Sequence, residues 1–333
     1  MDNLFFLGVL FFPILMISFL ITFIALPVWI KRAHAEGLTG KDIHKIGNKK
    51  VAEGGGMAVL VGVTLGALLY IALKTFLFKE NTHTSEIFAL LGVLFFASIV
   101  GIVDDLLGWK RGLSNRTRII LLIFSAIPLM VLNAGDTHIF GINLGILFPL
   151  LIVPIGIVGA TSTFNFLAGY NGLEASQGIL ILGSLAIVTF LTGNPWLSVI
   201  SMCMVVSLIA FYLFNKYPAK VFPGDILTYS VGAMIACIAI LGKVELIAIF
   251  FFIPYILETI LKIRGRLKKE SFGKLNPDGS LNPPYEKNYG LEHIAIRILK
   301  KIKPSKKAYE WEVPLLINAF QIIVIGIGFI IFF

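Results

Sequence analysis

Residues 87–105 read IFALLGVLFFASIVGIVDD, an apolar run that ends in two adjacent carboxylates. Roughly 20 apolar residues cross the hydrocarbon core of a bilayer as a helix, so this stretch predicts a transmembrane helix. Carboxylates are costly inside lipid, and Asp104 and Asp105 therefore indicate where the helix leaves the membrane. The fold of the whole chain is predicted by repeating this comparison of apolar runs with the polar residues that end them.

The composition is that of an integral membrane protein. Of the 333 residues, 57% are hydrophobic and only 14% are charged, whereas soluble domains carry about 25% charged residues. We therefore predict an all-α polytopic membrane protein with about ten transmembrane helices. The predicted spans cover residues 4–30, 55–77, 87–103, 118–132, 144–164, 178–191, 195–214, 226–241, 244–263 and 313–333.

The basic residues predict how these spans are oriented. Of the 28 Lys and Arg residues, 25 lie in or beside the loops that follow the odd-numbered spans. The three exceptions are Lys74, Lys79 and Lys243. By the positive-inside rule the odd loops are cytoplasmic, and both termini face outward. The formal charge of +9 is thus explained by anionic lipid, and no nucleic-acid partner is indicated.

The chain reads as one membrane domain, 1–333, without a convincing internal repeat. Its largest connection is the ninth loop, 264–312. Asn276-Pro-Asp-Gly279 is a turn sequence, because Pro fixes φ and Gly accepts a positive φ, so a short hairpin is predicted around it. From Leu291 onward the apolar residues recur at helical spacing and lysines follow. This pattern predicts a basic amphipathic helix on the inner membrane surface. The outer loop 133–143 favours another small hairpin.

Asp104, Asp105, Asn165, Asn171 and Asp225 all fall at span ends assigned to the cytoplasmic side. Several acids and amides converging on one rim favour a metal or phosphate site over a packing accident. Solvated acids at a helix end remain the alternative for the Asp104–Asp105 pair.

The loop between the fifth and sixth spans contains no Lys or Arg. It offers the amides of Asn165 and Asn171 and the carboxylate of Glu174, which are hard ligands suited to Mg²⁺. A polar turn between two helices is the alternative. Asp225, in Val221-Phe-Pro-Gly-Asp225, is either a metal ligand or an ordinary helix N-cap. Phe222 beside it either stacks on a nucleobase or anchors the chain at the interface.

Two arginine pairs have two interpretations each. In an extended segment Arg264 and Arg266 point the same way, and Gly265 between them makes an extended exit from the ninth span plausible. Both guanidiniums would then grip one diphosphate. Simple positive-inside anchoring is the alternative, and it applies equally to Arg116 and Arg118. Gly54-Gly-Gly56 superficially resembles a phosphate loop, but close helix packing is favoured.

Together these segments resemble the polyprenyl-phosphate N-acetylhexosamine-1-phosphate transferases. An Asp pair at the end of one span, an Asn-rich loop after the fifth, and Phe-x-Gly-Asp before the eighth occur in that order. The archaeal and eukaryotic UDP-GlcNAc:dolichyl-phosphate GlcNAc-1-phosphotransferases are the most similar branch. The segments that carry this resemblance are Gly40-Lys-Asp-Ile-His-Lys45, Ala52-Glu53, Asn165-Phe-Leu-Ala-Gly-Tyr-Asn171, Val221-Phe-Pro-Gly-Asp225 and Arg264-Gly-Arg266.

The resemblance implies a Mg²⁺-dependent transferase, with Mn²⁺ as the alternative ion, in which Asn165 and Asp225 ligate the metal. Asp104 and Asp105 would line the same cavity and, with Asp225, form the catalytic set. A general base is hardly needed, since a phosphate monoester with a second pKa of about 6 is mostly dianionic at neutral pH. Deprotonation by Asp104 remains the alternative to an orienting role.

For the substrates, the resemblance implies that Phe222 stacks on uracil, with Asn171 and Glu53 near the nucleotide. Arg264 and Arg266 would hold the diphosphate and sugar, and either Arg116 or Arg118 would contact the lipid phosphate. One departure is Gly265, where that branch usually has His. The missing His-rich stretch in the ninth loop argues against the muramoyl-pentapeptide substrate of the bacterial branch.

The expected reaction is transfer of GlcNAc-1-phosphate from a UDP-sugar to a polyprenyl or dolichyl phosphate, with release of UMP. It would be the first membrane step of N-glycan or surface-polysaccharide assembly. The expected location is the plasma membrane, with the site on the cytoplasmic face, and a homodimer is considered. The alternatives are the same chemistry with another UDP-HexNAc, a secondary transporter, whose coupling residues lie near the midplane, or a structural scaffold.

Overall fold

The computed structural model describes residues 2–47, 49–107, 112–133, 135, 138–139 and 142–333. This part of the chain is all-α apart from short two-stranded hairpins, as the sequence predicts. The helices are α1 Asp2–Ala35, α2 Gly56–Leu77, α3 Thr84–Leu107, α4 Asn115–Ser125, α5 Ile127–Val131, α6 Val153–Phe164, α7 Leu173–Leu191, α8 Pro195–Asn215, α9 Gly224–Gly242, α10 Glu245–Phe251, α11 Ile253–Arg264, α12 Leu291–Ile302 and α13 Glu312–Phe332.

Within the described residues, seven helices are long and apolar enough to cross a membrane, namely residues 11–35 of α1 together with α2, α3, α7, α8, α9 and α13. The pair α10–α11, bent by 60°, would add an eighth span. The predicted count of ten is not confirmed. The fourth predicted span divides into α4 and α5 at Ala126, and the fifth consists of a π-helical turn, Phe148–Ile152, that runs into α6.

Helix α9 forms the centre of the bundle. In its most apolar 18-residue stretch 83% of residues are buried, against 22% for α1 and 28% for α13. It packs against α2, α3, α6, α7, α8 and α10. The first turn of α9, which begins at Gly224, is therefore surrounded by the ends of several other helices, and this arrangement positions the candidate site.

Two glycines allow this close packing. A Cβ on Gly101 of α3 would lie 2.5 Å from the backbone nitrogen of Ile226, and one on Gly56 of α2 would lie 2.6 Å from that of Leu227. Small residues let helix backbones approach in a membrane protein. The packing interpretation of the Gly54–Gly56 run is thereby confirmed for Gly56.

Short strands connect the loops at the same end of the bundle. Strands β1 (Thr39–Lys41) and β2 (Lys50–Ala52) form an antiparallel pair. Beyond β2, the Phe222 backbone N–H donates to the Ala52 carbonyl at 2.7 Å, and the Gly55 N–H donates to the Phe222 carbonyl at 3.0 Å. The loops after α1 and α8 are thus joined by backbone hydrogen bonds at the entrance to α2 and α9.

Both predicted hairpins are present. In the outer loop, β3 (His138–Ile139) pairs with β4 (Ile142–Asn143), and in the ninth loop β5 (Lys274–Leu275) pairs with β6 (Leu281–Asn282). The helix predicted from Leu291 onward is confirmed as α12. Its first residues are buried against α11 and α13, whereas Ile298 and Ile302 are exposed. Contact of α12 with the membrane surface remains a prediction.

Candidate active site at the start of helix α9

The first turn of α9 receives a carboxylate from α3. Asp105 accepts hydrogen bonds from the backbone N–H groups of Asp225, at 2.9 Å, and Ile226, at 3.4 Å. A helix N-terminus leaves such N–H groups unsatisfied and carries a partial positive charge. Asp105 therefore caps α9 from a different helix. Asp225 is not the N-cap residue, because Pro223 occupies that position.

Asp104, the neighbour of Asp105, has a different set of contacts. Its carboxylate forms an ion pair with Arg118 and accepts the backbone N–H of Leu113 at 2.7 Å. Its carboxyl group also contacts that of Asp225. The two adjacent acids of α3 thus diverge as helical geometry requires, one towards the α9 backbone and the other towards Arg118 and Asp225.

Asn165 completes the group from α6, where it is the residue after the last helical position. Its side-chain oxygen accepts a hydrogen bond from the Thr228 hydroxyl at 3.1 Å. Thr228 lies one turn after Asp225 on α9, so Asn165 faces the same turn. We refer to Asp104, Asp105, Arg118, Asn165 and Asp225 as the rim cluster.

The charges of the rim cluster do not balance, since it holds three carboxylates and one guanidinium. Carboxylates in contact repel unless a proton or a cation lies between them. The donor set of carboxylate and amide oxygens suits a hard ion such as Mg²⁺. Within the described part of the chain, no three His, Cys, Asp or Glu side chains form a ready-made metal site. That finding fits Mg²⁺, which takes one or two protein carboxylates and completes its shell with water and substrate phosphate.

Two of the residues predicted to contact the nucleotide, Phe222 and Glu53, are held together near the start of α9. Phe222 is half-buried, and its backbone is fixed by Ala52 and Gly55 as described above. Its ring stacks on no other aromatic ring among the described residues. Glu53 is exposed and follows Ala52 directly. The backbone ladder therefore keeps Phe222 and Glu53 together, with the Phe222 ring available for a planar ligand.

The two arginines of the third loop differ in their contacts. Arg118 pairs with Asp104, whereas Arg116 is exposed and forms no ion pair within the described residues. Of the two, Arg118 alone belongs to the rim cluster.

The expectation of an extended exit from α11 is wrong. The backbone N–H of Leu267 donates to the Lys262 carbonyl at 2.9 Å, and that of Arg266 donates to the Ile263 carbonyl at 2.8 Å. Arg266 has a φ of +55°. This is the Schellman motif that ends many helices. Arg264 is thus the last residue of α11 and Arg266 lies in a left-handed turn, so the same-side geometry of an extended strand is absent. Both side chains are exposed.

A second group of polar residues was not predicted as a site. Asp42, His44 and Lys45 from the loop after α1 meet Asn171 from the loop before α7 and Glu310 from the segment before α13. We call these five residues the loop cluster. Asn171 was predicted to lie near the nucleotide, and the other four were not assigned any role. The Gly40–Lys45 segment was noted only as part of a resemblance, and nothing local in the sequence indicates Glu310.

An apolar groove lies between α6, α10, α11 and the second half of α9. Its volume is about 690 Å³, and it is lined by α6, α9, α10, α11 and the C-terminal residues Phe332 and Phe333. It extends from Thr163, two residues before Asn165, to Lys243 at the opposite end of α9. Sequence patterns did not single out the groove, because most of its lining residues are ordinary apolar residues of the helices.

Comparison with known proteins gives a consistent result. Residues 87–243 match the model of glycosyl transferase family 4. This segment contains the whole rim cluster together with Asn171 and Phe222.

Similarity to individual proteins extends over most of the chain. A protein of Saccharolobus solfataricus, provisionally named UDP-N-acetylglucosamine–dolichyl-phosphate N-acetylglucosaminephosphotransferase, is 34% identical over 86% of this chain and 87% of its own. The enzyme of that name from Dictyostelium discoideum is 29% identical, over 73% of this chain and 69% of its own. A phospho-N-acetylmuramoyl-pentapeptide-transferase of Wolbachia pipientis is 28% identical, over 73% and 78% respectively.

Proposed function

Because the chain belongs to glycosyl transferase family 4, we propose that it transfers GlcNAc-1-phosphate from UDP-GlcNAc to a polyprenyl or dolichyl phosphate, with release of UMP. The archaeal and amoebal relatives are named for this donor and acceptor. The reaction would be the first membrane step in assembling an N-glycan or a surface polysaccharide. Another UDP-HexNAc donor is the main alternative, because Gly265 stands where the resembling branch usually has His.

The observation that carries the proposal is the unbalanced charge of the rim cluster at the end of a helix bundle. Phosphoryl transfer brings several anionic groups together, so that positioning and charge neutralisation are the main requirements. Mg²⁺, when bound between Asp225 and Asn165, would neutralise charge on the substrate phosphates. Arg118 supplies a fixed positive charge beside Asp104.

In the proposed reaction an oxygen of the lipid phosphate attacks the β-phosphorus of the UDP-sugar. The bond between that phosphorus and the bridging oxygen breaks, and UMP leaves with the oxygen. The acceptor phosphate is largely dianionic at neutral pH, with a second pKa of about 6, so no side chain has to remove a proton. Asp104, already engaged by Arg118 and the Leu113 N–H, then acts as an orienting group.

The donor would bind on the side of the ladder between Ala52 and Phe222. The free ring of Phe222 offers a stacking surface for uracil, and Asn171 and Glu53 offer polar contacts nearby. Arg264 and Arg266 would hold the diphosphate and sugar through the flexibility of their exposed side chains, rather than through a shared backbone direction.

The acceptor's hydrocarbon chain would occupy the apolar groove beside α9. The groove starts near Asn165 and continues along the helix, so a lipid lying in it would present its phosphate to the rim cluster. Gly159 forms part of the groove, and no atom lies within 4 Å of its Cβ position. Gly159→Trp should fill the groove, raise the KM for a long-chain acceptor, and leave the KM for UDP-GlcNAc unchanged.

The central experiment is transfer by the purified protein from radiolabelled UDP-GlcNAc to polyprenyl or dolichyl phosphate, measured as UMP release and as label in the lipid phase. We expect product with Mg²⁺ or Mn²⁺ and none with EDTA. A panel of UDP-sugars identifies the donor. Uptake of UDP-GlcNAc into proteoliposomes without lipid-linked product would instead support a transporter.

We further propose that the rim cluster faces the cytoplasm at the plasma membrane, with both termini outside, because the basic loops cluster at that end. A single cysteine introduced at Lys79 should react with an impermeant maleimide in intact cells, whereas one introduced at Lys269 should react only after the cells are permeabilised. The homodimer remains a prediction, to be checked by mass measurement in detergent.

A further inference from the structure

The loop cluster holds the Asn171 side chain in one orientation. Asn171 Nδ2 lies 3.2 Å from Asp42 Oδ2, and both residues are more than nine-tenths buried. An ionised carboxylate can only accept hydrogen bonds, so the group of Asn171 that faces Asp42 must be its NH₂. The amide oxygen is then left without a hydrogen-bond donor among the described residues.

Backbone hydrogen bonds fix Asn171 as firmly as its side chain. Its N–H donates to Glu310 Oε1 at 3.3 Å, and the N–H of the next residue, Gly172, donates to the buried Asn215 side chain at 3.1 Å. Asn215 in turn donates to the Val221 carbonyl at 2.9 Å, one residue before Phe222. The orientation of the Asn171 amide is thus fixed relative to the proposed nucleotide-stacking ring.

Asp42 is itself held in place from two sides. Its Oδ1 accepts the backbone N–H of His44 at 3.3 Å, and its own N–H donates to the Lys49 carbonyl at 3.0 Å. Lys45 lies 3.9 Å from Asp42, forms an ion pair with Glu310, and sits 3.4 Å above the centre of the Tyr217 ring. A carboxylate fixed in this way cannot rotate to follow a flipped amide.

We propose that Asp42 is a positioning residue that makes Asn171 an obligatory hydrogen-bond acceptor, and that this selects a uracil base over cytosine. The inference rests on the proposed function, which puts the donor's base beside Phe222 and Asn171. Uracil presents an N–H at position 3, whereas cytosine presents an unprotonated nitrogen there. An amide oxygen that cannot exchange places with its NH₂ accepts from the first and repels the second. Sites built around such a hydrogen bond reject an analogue that lacks the donor.

The test compares UDP and CDP as competitive inhibitors of UMP release from UDP-GlcNAc. The wild-type protein should prefer UDP by at least about tenfold, the equivalent of one hydrogen bond of 1.4 kcal/mol. In Asp42→Asn the amide at 42 can accept or donate, so that Asn171 is free to flip. The ratio of the two inhibition constants should then fall towards one.

A swap of the two side chains makes the test independent of simple structural damage. In the double variant Asp42→Asn/Asn171→Asp, the amide at 42 donates to the new carboxylate, whose other oxygen is again only an acceptor. The preference for UDP should be restored. Asp278→Asn is the matched control, because Asp278 is an exposed acid of the ninth loop that pairs with Lys307. Its variant should keep the wild-type ratio.

The outcomes separate the inference from the proposed function. Efficient transfer by the wild-type protein without preference for UDP, or an unchanged preference in Asp42→Asn, overturns the role of Asp42. Failure of the double variant to recover the preference, although it is folded by thermal unfolding, also overturns it. If the wild-type protein neither transfers GlcNAc-1-phosphate nor binds UDP, the proposed function itself is wrong and the inference falls with it.

Discussion

The rim cluster and the loop cluster lie at the same end of the bundle and contain the same kinds of side chain, but their charges are arranged differently. In the rim cluster three carboxylates share one guanidinium, and two of the carboxyl groups touch. In the loop cluster the two carboxylates share Lys45, which contacts both of them, and each also accepts a backbone or amide N–H.

The difference indicates two kinds of task. A cluster with more carboxylates than cations can bind a metal cation, or a phosphate together with its cation. Phosphoryl transfer requires such charge neutralisation. A group whose carboxylates are paired and hydrogen-bonded within the cluster gains rigidity instead. The difference in scaffold agrees, because the rim cluster is built mainly on the ends of packed helices, whereas the loop cluster joins three loops. Four substitutions or conditions test this division.

The largest effect is expected for Asp225→Asn, which removes one carboxylate of the rim cluster without changing its volume. Transfer should fall by about 1000-fold, the size of effect seen when one preorganised electrostatic group is removed from an active site. The thermal unfolding temperature should stay near that of the wild type, since one of two touching carboxylates is lost. Substantial activity at saturating Mg²⁺ would contradict a metal-binding role for Asp225.

A smaller loss is expected when the helix scaffold of the rim cluster is disturbed. The Cβ of Gly101→Ala would lie 2.5 Å from the Ile226 nitrogen and 2.6 Å from the Asp225 carbonyl carbon, so α3 and α9 must separate. Misplacement by about 1 Å can cost about 100-fold in rate. We expect lower kcat together with a lower unfolding temperature.

Gly183→Ala on α7 provides the control for this substitution, because nothing lies within 4 Å of its Cβ position. A wild-type kcat in Gly101→Ala would show that the rim cluster tolerates movement of α3. It would contradict the view that the rim cluster depends on closely packed helices.

Phe222→Ala should act on donor binding rather than on the chemical step. Stacking of a base on an aromatic side chain contributes about 1–3 kcal/mol, so the KM for UDP-GlcNAc should rise by about tenfold or more at nearly constant kcat. The KM for the lipid acceptor should not change. Phe124→Ala, which removes an exposed ring of α4, serves as the control. An effect confined to the acceptor KM would show that Phe222 contacts the lipid.

The smallest effect is expected from pH on the ninth loop. Burial and the neighbouring Lys262 lower the pKa of His293 on α12 from 6.5 to about 4. Between pH 4 and pH 6.5, His293 therefore binds a proton in the unfolded loop but not in the folded loop. Its contribution to the stability of the ninth loop is complete above pH 6.5 and declines as the pH falls towards 4. Hydrogen exchange across residues 264–312 should be about tenfold faster at pH 5 than at pH 7.5, after correction for the intrinsic rate.

His293→Gln should remove this dependence, because its side chain does not titrate, and should leave exchange in α9 unchanged. An equal acceleration of exchange in α9 would mean that the loops and the helix bundle open as one unit.

Much of the architecture was predictable because a run of apolar residues is by itself enough to form a membrane-spanning helix. The apolar runs predicted the long helices. Turn chemistry predicted the hairpin in the ninth loop, since Pro and Gly restrict the backbone within a few residues. Some of the ten predicted spans are not regular helices. Pro residues stand near the starts of α5 and α6, and a sharp bend divides α10 from α11. Periodicity alone does not reveal such breaks.

The site was predictable in its residues but not in its connections. Asp104, Asp105, Asn165 and Asp225 were recognisable because acids and amides at a membrane rim are expensive, and they do converge. The sequence could not choose between Arg116 and Arg118, whose separation of two residues puts them on different sides of a helix. The extended exit at Gly265 was predicted wrongly, because a positive φ at Arg266 follows from the helix-ending hydrogen bonds of α11 rather than from the residue itself.

Hydropathy, charge asymmetry and short motifs were enough to place this chain in a membrane and to mark one rim as the candidate site, because each depends only on neighbouring residues and on the cost of polar groups in lipid. The capping of α9 by Asp105, the pairing of Asp104 with Arg118 and the restraint of Asn171 by Asp42 were decided by tertiary packing. Asp105 and Asn171 are each separated from their partners by more than 100 residues. Such contacts depend on how closely whole helices approach, which in this protein is set by glycines such as Gly56 and Gly101.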